Sequence, residues 1–167
     1  GDDVLSTDGA TEQAKADEVA GLGGNDKITG TDRAEAFDGG VGNDTINAGA
    51  GNDRLKGGAG TDALYGEAGD DTFLITGETT VDDLFDGGSG TDTLSIGNDV
   101  NLTGASFNSV EVLQGAGQRV TVSATQLAGF TTANNLIFSG ANQDLGALAG
   151  SYTAVCGQQH GGGRCWQ

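Results

Sequence analysis

The chain has 167 residues, enough for one domain or one elongated module, with 32 glycines, no proline and 35% hydrophobic content. Glycine at this level without proline excludes collagen, and 5% aromatics is thin for an ordinary globular core. The net charge of −17 repels nucleic acid and anionic membranes, attracts cations, and opposes compaction until something neutralises it.

No apolar run is long enough to span a bilayer, so no membrane insertion is expected, and no signal-peptide pattern opens the chain. It begins at Gly1 rather than Met, as expected of a processed product or a fragment. The first six residues, GDDVLS, read as the tail of a repeat unit.

A nine-residue frame then takes over. EQAKADEVA (Glu12 to Ala20) fits it with its glycines missing. GLGGNDKIT, GTDRAEAFD, GGVGNDTIN, AGAGNDRLK, GGAGTDALY and GEAGDDTFL follow without a gap from Gly21 to Leu74. After an insertion, Ile75 to Gly77, the frame resumes as ETTVDDLFD and GGSGTDTLS and ends at Ser95. The sixth position holds Asp17, Asp26, Glu35, Asp44, Asp53, Asp62, Asp71, Asp83 and Asp92. The eighth holds Val19, Ile28, Phe37, Ile46, Leu55, Leu64, Phe73, Phe85 and Leu94. A flexible glycine-rich linker does not predict an apolar residue at every eighth place.

Each unit divides into a six-residue loop and a three-residue strand. Glycine permits backbone angles closed to other residues, so the loop can curl its carbonyls inward. The strand's middle residue points into a thin core and its neighbours to solvent. Two units make one coil of 18 residues, and units two apart stack. Stacked strands lie about 4.7–4.9 Å apart, so an ion midway between two loops reaches oxygens of both at calcium's bonding distance of about 2.3–2.6 Å. Magnesium needs a smaller octahedron and fits this spacing poorly.

The parity of the units predicts two columns, Asp26, Asp44, Asp62 and Asp83 on one flank and Asp53, Asp71 and Asp92 on the other. These seven aspartates are the expected metal ligands. The loop glycines Gly21, Gly23, Gly39, Gly40, Gly42, Gly49, Gly51, Gly57, Gly58, Gly60, Gly69, Gly87, Gly88 and Gly90 are expected to complete the cages. In GTDRAE, Arg33 is expected to stand in for a missing cation, and the glycine-poor unit ending in Asp83 to offer half a site. About four to six calcium ions follow from this stacking.

The units resemble the G-G-x-G-x-D-x-U-x nonapeptides of the RTX (repeats-in-toxin) family, across residues 12–95. The resemblance implies an all-β, right-handed parallel β-roll, a β-solenoid with calcium ions between its glycine-rich loops. It also implies a bacterial protein of type I secretion, unfolded in the low-calcium cytosol and folded by calcium once secreted outside the cell or at its surface. Attachment to a larger parent protein, such as a protease, lipase, toxin or adhesin, would be usual for such a module.

Beyond the repeats the expected organisation is 1–95 as calcium-binding roll, 96–155 as metal-free coils that continue and cap the solenoid, and 156–167 as a Gly/Cys-rich tail. The second segment repeats loosely at twenty residues, Val100 with Val120, Leu102 with Val122, Phe107 with Leu127 and Val110 with Phe130. A looser third copy places Leu145 and Leu148 in the later apolar positions. The end, CGQQHGGGRCWQ, does not look like the family's secretion signal. Cys156 and Cys165 suit a disulfide, within the chain or to a neighbouring subunit; a zinc site with His160 is the weaker alternative, because it lacks a fourth ligand. Trp166 reads as a contact residue, or as part of a disordered end, rather than a functional aromatic.

Catalysis finds no support. His160 is the only histidine, so no serine or cysteine has an evident base. GGVGND lacks the Gly-Lys-Ser/Thr of a phosphate loop, and an EF-hand read from Asp82 fails at Leu84 and Thr93. The expected function is a non-catalytic, secreted, calcium-folded module. The alternative is a structural subunit of a surface layer, matrix or filament that self-associates end to end. An ice-binding face is a remote third, since the fifth position (Asn25, Asn43, Asn52, Thr61, Asp70, Thr91) is too mixed for a regular array.

Overall fold

The computed structural model describes residues 3–6, 19–78, 81–140 and 152–156. In chain order its strands are β1 (Val4–Ser6), β2 (Val19–Ala20), β3 (Lys27–Thr29), β4 (Ala36–Val41), β5 (Thr45–Asn47), β6 (Arg54–Ala59), β7 (Ala63–Tyr65) and β8 (Thr72–Ile75). Then come β9 (Leu84–Asp86), β10 (Thr93–Ile96), β11 (Val100–Asn101), β12 (Ser106–Asn108) and β13 (Val112–Thr121). One helical turn, α1 (Ala124–Leu127), precedes β14 (Thr132–Gly140) and β15 (Tyr152–Cys156).

Alternate strands go to alternate sheets, as a solenoid of two-unit coils requires. One sheet runs β1-β3-β5-β7-β9-β12 and the other β2-β4-β6-β8-β10-β13-β14-β15, with β11 also on β13. Every pairing is parallel. Registers match the frame: Ile28 lies on Ile46, Ile46 on Leu64 and, across the insertion, Leu64 on Phe85. On the opposite sheet Phe37, Leu55, Phe73, Leu94 and Leu113 stack likewise. These two ladders face each other and form the thin core, with all nine side chains buried. The architecture is all-β, a parallel β-solenoid of about six turns.

The frame holds in detail. Asp3 to Ser6 take the places of a unit's last four residues: Leu5 pairs with Ile28, and Asp3 N–H donates to Asp26 Oδ1 as a sixth residue would. Some strands are longer than three residues. β4 and β6 run on into their loops, Gly40 pairing with Gly58 and Val41 with Ala59. Past the insertion the coil widens and stays wide. Val100 pairs with Val120 at the twenty-residue spacing, and Phe73, Phe85, Phe107 and Phe130 form a continuous run of rings 5.2–5.5 Å apart. Among the described residues the first sheet ends at β12, and Gln126 from α1 donates through Nε2 to the carbonyls of Leu102 and Ala105, each at 2.6 Å. Asp17 and the rest of its unit before Val19, Leu145 and Leu148 of the third copy, and His160, Cys165 and Trp166 lie outside the described residues. So does the Cys156 side chain, whose backbone ends β15.

Candidate metal columns

Seven of the described loops end on a sixth-position aspartate that is drawn inward. Asp26, Asp44, Asp53, Asp62, Asp71, Asp83 and Asp92 are each at most 4% exposed. Their Oδ1 atoms form a ladder along the solenoid. On one flank Asp26 N–H donates to Asp44 Oδ1, Asp44 to Asp62, and Asp62 to Asp83, each at 2.8 Å. On the other, Glu35 donates to Asp53, Asp53 to Asp71 and Asp71 to Asp92, at 2.7–2.8 Å. Two columns of carboxylates therefore stand where the parity of the units puts them.

The second oxygens carry the chemistry. Oδ2 of Asp26, Asp44, Asp53, Asp62, Asp71 and Asp92 is sealed from solvent and has no hydrogen-bond partner. A buried, unpaired carboxylate oxygen is strongly unfavourable, so six in register point to a cation. Burial drives the carboxyls up, partly offset by the ladder bonds: Asp53 and Asp92 to about 6, with Asp44, Asp62 and Asp71 also raised. Asp83 is also pushed to about 6 by burial, yet its Oδ2 does not belong to the sealed set.

The first-position glycines show what surrounds those oxygens. A Cβ on Gly39 would strike Asp44 Oδ2 and the carbonyl of Gly57 in the next coil, and Gly21 stands in the same relation to Asp26 and Gly39. Gly66 stands so to Asp71 and Gly87, and Gly57 to Asp62. From below, the fourth-position carbonyls of Gly24, Gly42 and Gly51 would be struck by a Cβ on Gly42, Gly60 and Gly69, all at positive φ. The intervals above Asp26, Asp44 and Asp71 thus each offer one carboxylate oxygen with peptide carbonyls from both loops. Among the described residues no three acidic, histidine or cysteine side chains converge on a point. A mixed oxygen set of this kind suits a hard cation that takes six to eight oxygens, as calcium does, and offers nothing to a metal that prefers nitrogen or sulfur.

Individual residues depart from the sequence reading. Gly24 takes the fourth-position place in its loop, whereas Gly23 leaves open room for a side chain. Gly40, Gly49, Gly58 and Gly88 hold the second position at φ of 89–103°, and Leu22 and Glu67 adopt φ of 72° and 71° in the same place. Gly51, Gly60 and Gly90 are at positive φ in the fourth, and Gly87 stands first in its loop beside Asp92. Arg33 is exposed, and the one salt bridge among the described residues joins Lys56 to Asp38 at 2.6 Å. The degenerate loop is closed otherwise: Glu35 Oε2 accepts from Thr31 N–H and Oγ1–H, so its carboxylate is met by the chain itself.

A second ladder lies outside the first. Asn25 Oδ1 accepts from Asn43 N–H, Asn43 Oδ1 from Thr61, Asn52 Oδ1 from Asp70, and Asp70 Oδ1 from Thr91. It donates in the opposite sense to the aspartate ladder, so adjacent coils are tied both ways. The fifth position is mixed accordingly: Asn25, Asn43, Asn52 and Asp70 accept through a carbonyl or carboxylate oxygen, whereas Thr61 and Thr91 take part through their backbone N–H.

No curated protein and no solved structure matches the chain. The RTX calcium-binding nonapeptide repeat matches in 4 copies, over residues 14–32, 38–73 and 82–94. The matched segments coincide with the coils that carry the sealed aspartates, and over them the chain is similar to the RTX calcium-binding nonapeptide repeat.

Proposed function

We propose that this chain is a non-catalytic calcium-binding β-roll module of a secreted bacterial protein, and that calcium outside the cell drives its folding. The six sealed, unpartnered Oδ2 atoms carry the reading. Asp26, Asp44, Asp53, Asp62, Asp71 and Asp92 act as carboxylate ligands. Gly24, Gly39, Gly42, Gly51, Gly57, Gly69 and Gly87 supply carbonyls from loops on either side. The stacking accommodates about four to six ions. Calcium that binds only the folded form stabilises it in proportion to the logarithm of its concentration, and extracellular sites bind at about 10⁻⁴–10⁻³ M. The same chain is therefore a charged coil at cytosolic calcium and a solenoid outside.

The test is circular dichroism during calcium titration, with magnesium as control. A cooperative coil-to-β transition near millimolar calcium, reversed by chelator and absent with magnesium, is expected. Full β-structure in chelator at neutral pH would overturn the coupling of calcium to folding.

A further inference from the structure

The two columns end differently, and the difference lies beyond the matched repeats. On the flank of Asp53, Asp71 and Asp92, the last repeat loop is followed by a shorter loop of the capping coils, between β12 and β13. Its residues keep the ladder going: Asp92 N–H donates to Glu111 Oε2 at 2.9 Å, as Asp71 N–H does to Asp92 Oδ1. Asp92 is 0% exposed and its Oδ2 is unpartnered. A Cβ on Gly87 would strike both Asp92 Oδ2 and the carbonyl oxygen of Ser109. One interval lower, a Cβ on Gly66 would strike Asp71 Oδ2 and the carbonyl of Gly87. Ser109 thus presents its carbonyl where a repeat glycine would, and it does so at φ 48°, a backbone state serine seldom adopts.

The opposite flank ends differently. There the last repeat loop begins with Glu78 instead of glycine, and Asp83 Oδ2 is not among the sealed oxygens. At the first position a Cβ points at the loop's own aspartate oxygen, as Gly39 and Gly57 show, so the Glu78 side chain leaves from the point where the cage would be.

We propose that the Asp92 flank holds one cation site more than its repeats supply, between the last repeat loop and the first capping loop. Asp92 Oδ2 and the Ser109 carbonyl are its donors, and the Glu111 carboxylate is its added charge. The ligand class is a divalent, oxygen-seeking cation, and the inference rests on the calcium reading above. The capping coils are then part of the metal-binding unit on this flank rather than a metal-free lid. Binding at this site would tie the repeats to their cap.

The test is diffraction from crystals of the full chain grown in millimolar calcium, with ion counting by equilibrium dialysis on variants. An ion within about 2.3–2.6 Å of Asp92 Oδ2 and Ser109 O is expected. Asp92→Asn can keep the bond from Asp71 N–H through its remaining oxygen, and it should bind one ion fewer. Glu111→Gln keeps an acceptor for Asp92 N–H and should weaken the last ion on the order of tenfold. Ions in the lower intervals with none above Asp92, or an unchanged ion count in Asp92→Asn, would overturn this proposal alone. Ions in no interval would overturn the calcium reading with it.

Discussion

Each sixth-position aspartate divides its work between two oxygens. Asp62 Oδ1 accepts from Asp44 N–H at 2.8 Å, which ties adjacent coils of the folded solenoid in register. Oδ2 has no partner in the chain and is left for the ion. The two roles separate by substitution. Asp62→Asn can keep the ladder bond and loses only the charge, so it should raise the calcium concentration needed for folding. Asp62→Ala also strands a buried N–H, which costs a further ~1–3 kcal/mol. Urea unfolding in saturating calcium should rank wild type above Asn and Asn above Ala. Equal midpoints for Asn and Ala would show that the ladder bond contributes nothing. The glycines obey a similar logic, because the loop sets the angle and the residue complies. Leu22 and Glu67 take φ near 70° in a place otherwise held by glycine, at a cost of about 1–2 kcal/mol each.

At the scale of strands and loops, the core of the repeats is two facing ladders of single side chains, and past the insertion it thickens with Ile75, Val81, Ile96, Val100 and Leu102 beside a run of phenylalanines. Phe85 is 1% exposed and contacts Phe73 in an edge arrangement and Phe107 in a stacked one, at 5.5 and 5.4 Å. It therefore joins the last repeat coils to the cap. Phe85→Ala should cost about 3–5 kcal/mol in thermal or urea unfolding with calcium saturating. A loss under 1 kcal/mol would mean that the cap and the repeats unfold independently. The repeats were legible because one acid and one apolar residue recur with fixed phase, so Ile28 on Ile46 and Asp44 over Asp26 follow from counting. The twenty-residue spacing likewise placed Val100 on Val120. Three features were not legible. Ser109 has no side-chain signature, since its contribution is a carbonyl at an unusual φ. Glu111 falls nineteen residues after Asp92, off the nine-residue frame. Glu35 is closed by Thr31 within its own loop, where charge counting had pointed to Arg33.

Across the whole molecule, charge opposes the fold and only cations or protons relieve it. Without calcium, burial raises the carboxyls of Asp53, Asp83 and Asp92 from 3.8 to about 6, and those of Asp44, Asp62 and Asp71 upward as well. Neighbouring acids add to the rise, Asp71 and Glu35 beside Asp53, and Asp71, Glu111 and Asp70 beside Asp92. A carboxyl that holds its proton more tightly when folded stabilises the fold fully below its unfolded value. That stabilisation is lost as pH rises through the folded value. The metal-free chain should therefore gain β-structure on acidification from pH 7 towards 5, with protons standing in for calcium along both columns. In calcium the sign reverses, because protons and ions compete for the same oxygens, and the calcium midpoint should rise as pH falls through about 6. Circular dichroism in chelator and in calcium, each followed from pH 7 to 5, reads both arms. The range stops short of the isoelectric point near 4.1, where loss of net charge promotes association. A chelated chain that stays a coil at pH 5, with a calcium midpoint indifferent to pH, would mean that the buried aspartates are not what holds the apo chain open.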